Sequence, residues 1–161
     1  MNFFKKFFIG QKAQKINSLN PYPIRELKLN HLILAMNGEK FSEEFCHFIK
    51  SKENFDLDYS ILSLDFVDNF LGKYGNELLV NDFAETIFMA GCYIGQVFVK
   101  NSKGIWVNAV DLNLPPGLGM TSILIKLPGT KIADPIVKAY KRFSFGKSDD
   151  ISHFYSVFSK E

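Results

Sequence analysis

The stretch Thr86 to Val99, TIFMAGCYIGQVFV, holds one strongly polar side chain, Gln96, among apolar and small residues. At about 14 residues it falls short of the roughly 20 a helix needs to cross a bilayer, so it reads as the buried central helix of a small domain. Just before it, Asp82 and Glu85 stand three positions apart, the spacing of a capping box, which predicts a helix start near residue 82. Ala84, Gly91 and Gly95 fall along one side of that helix, and Phe83, Ile87, Ile94 and Phe98 fill another. Glycine costs a helix about 1 kcal/mol relative to alanine, so the pair Gly91 and Gly95 predicts a second backbone packed close against this face.

What surrounds the helix follows from local signals. Pro23 suits the first turn of a helix over Ile24 to Met36 that places His31 on or beside a core face, and Asn37-Gly38 supplies a helix stop or a type I′ hairpin turn. Ser42, Glu43 and Glu44 open a second helix with Phe45, Phe48 and Ile49 inward. Phe55 to Tyr59 alternates as a short strand or extended lead-in, and Ser60 caps a helix reaching Tyr74 with Leu64, Val67 and Leu71 on its inner side. Asp58, Asp65 and Asp68 read as a solvated polar face in preference to a metal or acid/base set.

Past Val99, Asn101 to Gly104 reads as a turn, Ile105 to Val110 as a strand, Asp111 to Gly119 as an irregular loop, and Ser122 to Leu127 as a second strand ending at the Pro128-Gly129 turn. Asp134 caps a helix with Pro135 in its first position and Gly146 beyond its end; Lys138, Lys141 and Arg142 complement its C-terminal dipole. Ser148 or Asp149 starts a last helix with Ile151, Phe154, Tyr155 and Phe158 inward. The expected fold is α+β, a single domain over 21–161 with a central buried helix, several surrounding helices and a small antiparallel sheet. Residues 1–20 form an aromatic and basic arm and linker. At 161 residues, with 47% hydrophobic and 15% aromatic content, the chain suffices for a real core.

Function is less legible. Nineteen basic and seventeen acidic residues nearly balance at a net charge of +2 without a long basic run, so nucleic acid is not an expected partner. Cys46 and Cys92 lie among apolar residues, which predicts buried reduced thiols and a cytoplasmic setting. No metal-ligand spacing exists among Cys46, Cys92, His31, His47 and His153, and the LPPGLG loop lacks the lysine of a phosphate cradle. No catalytic residue, cofactor or metal is therefore expected. Phe3 to Ile9, interrupted by Lys5 and Lys6, is a pattern that can lie on an anionic membrane surface; fraying or folding back onto the domain is the favoured reading.

The segments LDYSILSLDFVDNFL and AGCYIGQVFVKNSKGIWV, followed by a strand, a Pro-started helix with Lys141-Arg142 and a close at Gly146, resemble a group of small uncharacterised bacterial domains. These share a Gly-x-Tyr-x-Gly helix, here Gly91 to Gly95, and a Gly-x-Trp strand start, here Gly104 to Trp106. The resemblance implies Glu in many relatives where this chain has Gln96, and by analogy an immunity-type or accessory role. The leading expectation is a non-enzymatic protein-interaction module with an unidentified protein partner. The alternative is a small-ligand binder or enzyme with a pocket between the central helix and the Trp106 strand. Tyr93, Gln96 and Trp106 are the candidate binding residues.

Overall fold

A computed structural model describes residues 27–31, 33–114 and 121–160. The expectations for the N-terminal arm, for the Pro23 helix start and for most of the LPPGLG loop lie outside these residues. Among the described residues, five α-helices follow one another: α1 (Gly38–Glu53), α2 (Ser63–Gly75), α3 (Val80–Ser102), α4 (Pro135–Phe145) and α5 (Ile151–Ser159). The described residues also hold three strands, β1 (Ile105–Asn108), β2 (Ile123–Lys126) and β3 (Ile132–Ala133), which form an antiparallel sheet in that order, with Trp106 opposite Ile125 and Ile125 opposite Ala133. The architecture is α+β.

α3 is the axis of the fold, and every residue from Thr86 to Phe98 is buried. Its heaviest packing is against α1 on one side and α4 on the other. A Cβ on Gly91 would stand 2.6 Å from Ile136 Cα, so this glycine admits the backbone of α4 as expected, whereas Gly95 makes room for side chains, chiefly the Trp106 indole. Phe48, Phe70, Tyr74, Phe83 and Phe143 form a chain of rings with successive centroids 6.2, 4.8, 5.3 and 5.5 Å apart, tying α1, α2, α3 and α4 together. Burial of each such ring contributes roughly 1.5–3 kcal/mol. Among the described residues, no helix is long and apolar enough to cross a membrane.

Several local expectations give way to tertiary contacts. Residues 27–31, 33 and 34 are not helical; a 3-10 turn at Ala35–Asn37 runs straight into α1, so Asn37-Gly38 starts a helix where a stop was expected. Gly38 is chosen there by the indole of Trp106, which a Cβ would meet at 2.5 Å. The capping box at Asp82 is also absent. α3 begins at Val80 with no side-chain cap, and Glu85 instead accepts from Asn30 N at 2.9 Å and faces His31. Residues 54–60 form no strand. β1 ends at Asn108 because Ala109–Leu112 turns into a 3-10 helix, whereas α4 and its Asp134 cap, which accepts from Val137 N, stand as read.

Candidate functional site

Gln96 and Trp106 are brought together. Trp106 Nε1 donates to Gln96 Oε1 at 3.0 Å, and Gln96 Nε2 donates to Glu39 Oε1 at 3.1 Å. The amide is thus used on both ends, and the indole lies against Gly38 and Gly95. This network fastens β1 and the start of α1 to the middle of α3.

Tyr93 belongs to a different cluster, beneath the loop between α1 and α2. Ser63 Oγ donates to Ser60 O, so its one proton is committed and Tyr93 OH, 2.6 Å away, donates to it. The same phenol accepts from Tyr59 N at 2.9 Å, and the two tyrosine rings stack at 4.9 Å. Tyr59 has φ +61°, a left-handed conformation that a bulky residue rarely adopts. Four groups hold it there: Tyr93, Asn101 Nδ2 donating to its carbonyl at 2.9 Å, Ser42 at its phenol, and Lys100 over its ring at 4.7 Å. Burial pushes the pKa of both phenols up, that of Tyr93 to about 12, with the hydrogen bond from Tyr59 N pulling the other way.

The loop pinned at Tyr59 carries an unusual outer surface. Phe55 is 41% exposed, Ile61 47% and Leu62 81%. Phe55 stacks face to face on Phe66 at 4.1 Å, and Leu62, one helical turn before Phe66, continues the same strip. Backbone strain fixed by several neighbours is characteristic of binding loops, as is an apolar strip facing solvent. The sequence patterns assign Phe55 to a short strand or extended lead-in and single out neither Ile61 nor Leu62. Leu62 is out of phase with the buried stripe of Leu64, Val67 and Leu71, and that mismatch is the signal of the strip in the sequence.

Two further arrangements bear on chemistry. His31 Nδ1 lies 3.3 Å from Glu85 Oε2, its ring stacked on Phe41 at 4.5 Å, while its buried Nε2 has no partner among the described residues. Neither Tyr93 nor Gln96 joins this pair. A cleft of about 480 Å³ lies where α2 and α4 end, lined by Asn69, Lys73, Asn76, Arg142, Ser144 and Lys147 among others. Its cations are largely matched: Lys73 lies 3.8 Å from Glu53, and Arg142 is paired with Asp68. The carbonyl ends of two helices add partial negative charge. Among the described residues, no cluster of three or more His, Cys, Asp or Glu is placed to hold a metal ion.

No protein-family model, curated protein or solved structure matches the chain.

Proposed function

We propose that the protein is a protein-interaction module that presents the loop between α1 and α2 to a partner. The observation that carries this reading is the pinned loop itself. Tyr59 is held in a strained conformation by Tyr93, Asn101, Ser42 and Lys100, while Phe55, Ile61 and Leu62 project outward. An ordered loop loses little conformational entropy on docking, so its apolar area contributes more fully to affinity. The polar groups singled out by sequence are engaged in holding elements together: Gln96 and Trp106 with each other, Tyr93 with Ser63 and Tyr59. Cys46 and Cys92 are free thiols, which supports a cytoplasmic setting. The resemblance to small bacterial domains suggests one form of this reading, an immunity-type role in which the loop occludes a partner's surface.

A photo-crosslinking side chain placed at Leu62 tests the reading in the cells that produce the protein. The expected result is one adduct of defined mass that excess wild-type protein competes away and excess Leu62→Glu protein does not. Absence of an adduct, or equal competition by both proteins, overturns it.

A further inference from the structure

We infer that the face formed by Phe55, Ile61, Leu62 and Phe66, bordered by Asp58 and Asp65, receives an amphipathic segment whose polar side is cationic. This rests on the reading of the protein as an interaction module and names the chemistry of the partner.

The charge around the strip carries the argument. From Asn54 to Gly72 the chain has four aspartates and no Lys, Arg or His. Asp56 is answered by Lys50 at 2.6 Å, and Asp68 is taken up by Arg142 inside the fold. Asp58 and Asp65 have no cationic partner among the described residues. Asp58 Oδ1 accepts from Ser60 N and Asp65 Oδ1 from Ser152 Oγ, so both carboxylates are fixed in place. The Ser60 hydrogen bonds hold the Asp58 carboxyl below the usual carboxylate range, keeping its charge across the physiological span.

Position links these charges to the apolar strip. Asp65 is one turn on from Ile61 and Leu62, and the Asp58 side chain folds over the turn that leads into them. A partner covering Leu62 therefore passes close to both carboxylates. An acidic or strictly neutral partner would leave them facing like charge or stripped of water, which is costly; a lysine or arginine flanking an apolar residue complements both features. An apolar strip about one to two helical turns long accommodates anchors at i, i+3 or i+4 of a helix laid along it.

Three labelled peptides of equal length test this by fluorescence anisotropy: Leu/Lys and Leu/Glu helices with identical leucine spacing, and a Ser/Lys peptide without leucine. The expected result is Leu/Lys binding at least tenfold tighter than either other peptide, weakened by salt. Ile61→Ser with Leu62→Ser should abolish the binding, and Asp58→Lys with Asp65→Lys should transfer the preference to Leu/Glu. Circular dichroism and the emission of Trp106 establish that each variant is folded. Equal affinity for both charge types, or a preference unmoved by the charge reversal, overturns the inference. A specific crosslink at Leu62 accompanied by no Leu/Lys preference also overturns it, while leaving the interaction-module reading in place.

Discussion

Arg142, with 4% of its side chain exposed, donates from Nε and Nη2 to the two carboxylate oxygens of Asp68 at 2.7 and 2.9 Å. Asp68 Oδ1 also accepts from Ile151 N at 3.0 Å, so one carboxylate joins α2, α4 and the first residue of α5. Sequence alone assigned the aspartate to a wet face and the arginine to a helix dipole. Removing one partner strands a buried charge, and Arg142→Met should cost roughly 3–5 kcal/mol. Combining it with Asp68→Asn, which keeps an acceptor for Ile151 N, should recover most of that loss. Urea denaturation of the single and double variants measures both.

Glu39 faces the amide end of Gln96, and this places a constraint on residue 96. Gln96→Glu sets two carboxylates about 3 Å apart, where they cannot readily share the ionised state. The variant should be destabilised by about 1–3 kcal/mol at neutral pH and regain stability as pH falls toward about 4 and one carboxyl takes a proton. The position of Trp106, whose indole N–H now meets a shared network, makes its fluorescence the natural readout.

Tyr93 and Tyr74 both ionise only at about 12, each chiefly because of burial. An unfolded tyrosine releases its proton near about 10. Between these values the unfolded chain gives up protons that the folded chain keeps, so stability falls as pH rises from about 10 to 12. Tyr93→Phe should make that fall shallower. At neutral pH it should cost about 1–3 kcal/mol, because Tyr59 N loses its acceptor. Hydrogen exchange across residues 54–62 should accelerate in the same variant, since Tyr93 is one of the groups holding Tyr59 left-handed.

Gly75 ends α2 directly against the backbone carbonyl of Phe143, which has no room to move aside for a methyl group. Gly75→Ala should therefore cost more than about 2 kcal/mol by pushing α2 from α4. Gly129, at φ +77° with open space around it, provides the contrast. Gly129→Ala should cost only about 1 kcal/mol of backbone strain. Thermal unfolding of the two variants compares a packing penalty with a conformational one.

The sequence by itself determined the elements whose causes are local. An apolar run interrupted only by Gln96 predicted the burial of α3, and its two glycines predicted the close approach of a second backbone, which α4 supplies at Gly91 while Gly95 takes the indole of Trp106. Asp134, Pro135 and Gly146 bounded α4 through cap geometry that needs no distant partner. Tertiary structure decided what depends on residues far apart in the chain. Asp68 meets Arg142 across 74 positions, and Glu85 meets Asn30 across 55, so no local pattern could assign either carboxylate. Gly38 begins a helix and Tyr59 turns left-handed because Trp106 and Tyr93 stand beside them in the fold. Proline aside, local propensities are worth at most about 1 kcal/mol each, and burying a ring or stranding one partner of a buried charge pair outweighs them.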